Sequence, residues 1–168
     1  IAEEFPNGFN PQEVLPRDPI IPIVVAASIN LACKQRDSSL SHAGFDDGRM
    51  ISEDWVIVTK HGDHLVKVRQ DKDHYVVTLL DQRFELKTNW QVGDCLLHGT
   101  LNGEVISVQV ERQNISYLLT HGGSQDNILV LSKSHAEINS LMPQKKLTDT
   151  SKTLLSPMPG LLLSLGVE

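Results

Sequence analysis

With 168 residues, 40% of them hydrophobic and 21% charged, the chain suits one domain with its own core plus flanking segments. A formal net charge of -6 argues against a nucleic-acid partner, whose polyanionic backbone requires a basic footprint. Two cysteines, Cys33 and Cys95, suggest a reducing compartment rather than a disulfide scaffold. The opening IAEEFP is acidic, not apolar, so no signal peptide is expected; without an initiator Met, the sequence reads as a piece of something longer.

Residues 1–17 carry three prolines and a glycine between the scattered anchors Phe5, Phe9 and Val14, the pattern of a linker that packs in places. A helix is expected over 18–38. Asp18 and Pro19 form a good N-cap and first-turn pair, with Pro22 leaving the true start open between Asp18 and Pro22. Through Ala27 this segment is apolar at nearly every position, and a helix apolar all round must be enclosed all round. Ile23, Val24 and Val25 alone could be a buried strand, but the run continues in good helix formers without a turn residue. It is too short and too interrupted for a membrane span. From Lys34 the sequence turns polar, so the second half of the helix is expected to emerge into water. Residues 39–54 then form a Ser/Gly/Asp-rich connector that also holds Leu40, Phe45, Met50 and Ile51. Loops of this length inside a compact domain are usually functional or disordered.

From Trp55 the periodicity becomes two. Residues 55–60, 64–70, 74–80, 83–88, 95–101, 104–111, 114–121 and 126–132 read as strands, the barrel region 55–132. The turns between them are short, and Asn102-Gly103 suits a two-residue hairpin best. Residues 134–141 predict a short helix with Ser134 as N-cap and Glu137 three positions on. The expected fold is α+β but mainly β: an antiparallel up-and-down barrel of about eight strands wrapped around one long central helix. Closure removes exposed edges, and at about eight strands the interior needs filling. A hollow, lipocalin-like barrel binding a small apolar ligand is the alternative reading.

Catalytic patterns are missing. His61 and His64 with Asp63 lack the further converging groups of a zinc site. His98 and Glu85 fall in different strands, and no G-x-S-x-G elbow surrounds the serines at 38–41. Asp46-Asp47-Gly48 lacks the spacing and the closing Glu of a calcium loop. Gly122-Gly123 precedes a strand rather than a phosphate-cradling helix. Trp55 and Trp90 could stack a ligand, though aromatics at strand ends usually belong to the core. No catalytic, cofactor-binding or metal-ligating residue is therefore expected in this segment.

The stretch 154–163, LLSPMPGLLL, is similar to the opening strand of biotinyl carrier domains. IAEEFPNGF at 1–9 and SHAEINSLMP at 134–143 resemble segments flanking the interaction domain of propionyl-CoA carboxylase alpha subunits, a family of biotin-dependent acyl-CoA carboxylases. The resemblance implies a linker leaving the biotin carboxylase domain at 1–17, and the biotin carboxylase–carboxyltransferase interaction (BT) domain at 18–142. It further implies a linker at 143–153 and the start of a carrier domain at 154–168. In this family the BT domain is a helix inside an eight-stranded barrel, with a hook between helix and first strand that reaches the carboxyltransferase beta subunit. The hook maps onto the connector, making Leu40, Phe45, Arg49, Met50 and Ile51 the expected partner-binding anchors. The parent enzyme uses biotin, ATP and Mg or Mn in a large hetero-oligomer, with no nucleic acid or membrane involved. Its place is the bacterial cytoplasm, or the mitochondrial matrix in a eukaryote. The biotin-accepting Met-Lys-Met is not among these residues, since none of Met50, Met142 or Met158 precedes a lysine.

Overall fold

The structure, a computed structural model, describes residues 18–41 and 52–143. Helix α1 (Ile20–Ser41) comes first, followed by eight strands: β1 (Asp54–Thr59), β2 (Gly62–Asp71), β3 (His74–Leu79), β4 (Gln82–Thr88), β5 (Leu96–Leu101), β6 (Glu104–Gln113), β7 (Ser116–His121) and β8 (Ser124–Leu131). A short helix, α2 (Lys133–Leu141), ends the described region. Every strand pairs antiparallel with its sequence neighbour, and β8 returns to β1 through Val56↔Leu131, Ile57↔Val130 and Val58↔Leu129, closing the barrel.

The barrel holds α1. Residues 21–31 are buried without interruption, about three helical turns, so no face of that stretch meets water. Val24, Val25, Ala26 and Ala27 are 0% exposed. The helix touches β1, β2, β3, β4, β7 and β8, and inward side chains such as Ile57, Val68, Val77, Leu86, Val108, Leu119 and Ile128 complete the core. Alternation along β6, with Ile106, Val108 and Val110 buried against exposed Ser107, Gln109 and Glu111, shows how period-two patterning sends one face inward. The hollow lumen expected of a lipocalin-like barrel is thus replaced by the chain's own helix. Fully enclosed aliphatic side chains at ~1.5–3 kcal/mol each bind the rod to its wall.

The helix begins as its residues suggest, with the Asp18 carboxylate accepting a hydrogen bond from the Ile20 N–H at 2.9 Å. Inside the barrel the Ser28 hydroxyl donates to the Val24 carbonyl at 2.9 Å, which satisfies a polar group where water is excluded. The Asn102-Gly103 hairpin adopts φ of 50° and 92°. Asn102 also reaches the neighbouring strand β4, accepting from the Glu85 N–H through Oδ1 at 2.8 Å and donating its own N–H to the Glu85 carbonyl at 2.9 Å. Gly99 lies where β4 and β5 converge, and a Cβ there would collide with the Lys87 carbonyl oxygen.

Several expected boundaries shift. Gly62 and Asp63 belong to β2, and the turn before β4 is Leu80-Asp81 rather than Asp81-Gln82. Asn114, with φ of 51°, is a turn residue, so β7 starts at Ser116, while β8 begins at Ser124. The cap of α2 is Ser132, not Ser134: Ser132 Oγ accepts from the His135 N–H at 3.4 Å and lies 2.6 Å from His135 Nδ1. Either serine precedes a helical pattern by a plausible distance, and only the exit direction of β8 selects between them.

Candidate docking surface at the open end of the barrel

Strand order gives the barrel two distinct ends. At one, where α1 enters, the connections are two-residue turns at 60–61, 80–81, 102–103 and 122–123. At the other, where β1 starts, α1 emerges near the turns at 72–73 and 114–115, the 89–95 loop and α2. From Cys33, still buried, to Ser41 the helix rises about 12 Å. Lys34, Arg36, Asp37 and Ser39 are exposed, and Leu40 presents an apolar side chain that is 66% exposed.

Both stems of the connector are pinned. On the outgoing side an Arg36 guanidinium N–H donates to the Val92 carbonyl at 3.2 Å, tying the helix to the 89–95 loop. That loop is held by the Trp90 indole N–H on the Asp94 carbonyl (2.9 Å) and the Gln91 N–H on the Asp94 carboxylate (2.9 Å). On the returning side the Trp55 indole N–H donates to the Ser52 carbonyl at 2.9 Å, and the Val68 N–H to the Glu53 carbonyl at 2.8 Å. The Lys67–Glu53 ion pair at 3.4 Å adds a solvent-screened contact. Of the sequence-derived anchors, Leu40 stands exposed at the root of the connector; Phe45, Arg49, Met50 and Ile51 lie outside the described residues.

Inside this mouth lie Cys33 and both tyrosines, Tyr117 buried and Tyr75 half-buried. Burial pushes the Tyr117 phenol far above the ordinary tyrosine value, and the Cys33 thiol beside it adds to the shift, both as a nearby group and through a hydrogen bond; Arg112 partly opposes it. Burial raises Tyr75 as well, again with Cys33 contributing. A cleft of about 290 Å³ opens between the emerging helix, the turn before β7 and α2, bordered by Asn30, Lys34, Asp37, Trp55, Arg112 and Tyr117. Sequence reasoning missed this cleft, because its members are scattered from α1 to α2 and carry no local motif.

The other candidates do not converge. Among the described residues no group of three or more His, Cys, Asp or Glu could hold a metal ion. His98 pairs with the Ser107 hydroxyl at 2.6 Å on the outer wall, whereas Glu85 meets Arg83 at 3.0 Å. Gly122 and Gly123 are a hairpin turn, Trp55 is a core residue and Trp90 packs against the core. Asp46, Asp47 and Gly48 lie outside the described residues. Cys33 and Cys95 are free thiols, the first buried and the second exposed. No described helix is long and apolar enough to cross a membrane.

Residues 23–145 match the family model of the propionyl-coenzyme A carboxylase BT domain. The chain belongs to that family. Over its whole length this BT-domain chain is 28% identical to a propionyl-CoA carboxylase alpha chain from Ruegeria pomeroyi and 24% identical to the mitochondrial alpha chain of Mus musculus. It spans about a quarter of these curated relatives, 25% and 24% respectively. The matched segment starts inside α1 and runs just past α2, so it takes in most of α1, the connector and the entire barrel.

Proposed function

We propose that the chain is a non-catalytic assembly domain of a biotin-dependent propionyl-CoA carboxylase alpha subunit, docking it onto the carboxyltransferase beta subunit so that carboxybiotin can pass between active sites. The match of residues 23–145 to the BT-domain family is the observation that carries this reading. The architecture supports it physically. The centre of the barrel is filled by its own helix, and the stems on either side of the connector are both held at one end. Two active sites sharing one tethered cofactor work together only when their separation stays within the tether's reach, and a compact spacer domain meets that need.

On this reading residues 1–17 leave the biotin carboxylase domain, 18–142 form the BT domain, 143–153 are a linker and 154–168 begin the carrier domain. ATP, Mg or Mn, and biotin serve the parent enzyme, a ligase assembled as a large hetero-oligomer. Among the described residues no group of three or more His, Cys, Asp or Glu could hold a metal ion, and the sequence contains no Met-Lys-Met. Cytoplasm is the expected location for a bacterial source, and the mitochondrial matrix for a eukaryotic one.

Leu40, Phe45, Arg49, Met50 and Ile51 are the proposed anchors, since interface energy concentrates in a few large apolar, aromatic and Arg side chains. Replacing Phe45→Ala together with Met50→Ala is expected to leave the domain folded and to weaken beta-subunit binding. Size-exclusion chromatography of the mixed subunits checks this, and assembly unchanged from the parent chain overturns the hook assignment.

A further inference from the structure

At the end of the barrel where α1 enters, an apolar groove of about 500 Å³ lies beside the first turn of the helix. Ile20, Ile23, Leu79, Leu80 and Ile128 are among the side chains that line it. Leu80 breaks two local rules there. It stands in the two-residue turn 80–81 at φ of 49°, a left-handed conformation that glycine or asparagine adopts more readily. Two other turns of the same end use Asn102-Gly103 and Gly122-Gly123. Leu80 is also 83% exposed, so a large apolar side chain is held in water by a backbone that disfavours it. Two rules broken at one position point to a contact beyond the barrel's own residues.

The chain carries a segment suited to that contact. Residues 1–17 precede the described region, which opens at Asp18, one residue before the groove-lining Pro19. Phe9, Val14 and Leu15 are the large apolar residues nearest to that point. At no more than ~3.6 Å per residue, Val14 lies within ~14 Å of Asp18 and Phe9 within ~32 Å, so both can reach the groove. A tether this short supplies its segment at an effective concentration on the order of millimolar. A second copy or a foreign peptide at micromolar levels competes poorly with that. Pro11 and Pro16 restrict the free segment, which lowers the entropy lost on seating it.

We propose that residues 9–15 of this chain lie across the groove, with Phe9 and Val14 seated against Leu80, Ile20 and Ile23. The segment then ties the start of α1 to the turn between β3 and β4, and covers apolar surface that closure of the barrel leaves in water. The contact stands on the groove and the tether, independent of the assembly reading. Under that reading it gives the linker at 1–17 a fixed path off the barrel.

Methyl-detected NMR of the 168-residue chain tests the contact directly. Nuclear Overhauser effects are expected from the Phe9 ring to the Leu80 and Ile23 methyls, and from the Val14 methyls to Ile20. Phe9→Ala is expected to abolish the first set and to shift the groove methyls, while Val92 and Val110 at the opposite mouth stay unmoved. Leu80→Asn suits the positive φ and so keeps the barrel folded; it is expected to remove the Phe9–Ile23 effect as well. Anilinonaphthalene sulfonate, a dye that fluoresces on apolar surface, reads the vacated groove. The Phe9→Ala/Val14→Ala chain is expected to bind it severalfold more strongly than the parent chain. Absence of any Overhauser effect between residues 9–15 and the groove overturns the proposal. Groove methyls that shift with protein concentration make the occupant a second copy, and equal dye binding by parent and double variant leaves the groove open to a foreign partner. Either result overturns it.

Discussion

The two ends of the barrel are built in different ways. Where α1 enters, every strand connection is a two-residue turn, and positive φ at Leu80, Asp81, Asn102, Gly103, Gly122 and Gly123 marks backbone bent as tightly as sterics permit. Where α1 leaves, the chain inserts the connector, the 89–95 loop and α2, and leaves a buried amide unpaired. The first end serves closure. The second, beside two-residue turns at 72–73 and 114–115, adds longer connections and one buried amide nitrogen without a partner. The same helix illustrates the contrast, being enclosed on every side at residues 21–31 and largely exposed from Lys34 onward.

The strongest way to break this comparison is to treat both halves of α1 alike. Val25→Asp places a carboxylate where exposure is 0%, and is expected to cost about 4 kcal/mol or more. Gln35→Asp, on the emerging half, is expected to change stability by under about 0.5 kcal/mol. Urea midpoints compare the two, and similar values would mean that the barrel does not enclose the helix. Asn102→Ala sharpens the account of the closed end. It puts a Cβ-bearing residue without a local side-chain acceptor at φ of 50° and removes the bond from the Glu85 N–H, an expected loss of about 1–3 kcal/mol in the same measurement.

The open end has an alkaline signature. Both of the chain's tyrosines lie there with phenols raised above the ordinary value of 10.0. Above that pH the unfolded chain releases protons that the folded chain retains, so stability is full below pH 10 and falls as pH rises beyond it. Absorbance at ~295 nm, where phenolate absorbs, should show little ionisation near pH 10 in the folded chain and both tyrosines titrating normally in urea. The smallest effect belongs to the Lys67–Glu53 pair at the connector's return. Both side chains are exposed, and Lys67→Ala is expected to change stability by under about 0.5 kcal/mol. A larger loss would mean that this stem is held electrostatically rather than by the Trp55 and Val68 hydrogen bonds.

Much of the fold was legible because it is written in local periodicity. A run apolar on all sides has one way to avoid water, and eight alternating segments with short turns have few ways to avoid open edges. Helix and wall were therefore complementary before any contact was known. The proposed hook anchors rest on resemblance alone, since Phe45 or Met50 in a polar connector could equally fold back on the barrel. Boundaries such as Ser132 over Ser134 and Ser116 over Asn114 escaped, because a cap or turn residue is chosen by the direction of the neighbouring strand.

By itself the sequence determined that α1 is enclosed, that the strands form an antiparallel meander, and which face of each strand turns inward; these follow from side-chain chemistry repeating at a fixed period. Tertiary structure alone decided the register that closes β8 on β1, the close approach that requires Gly99, and the meeting of Asn30, Lys34 and Arg112 around one cleft. Residues that far apart in the chain share no local pattern. Only closure of the barrel brings them together.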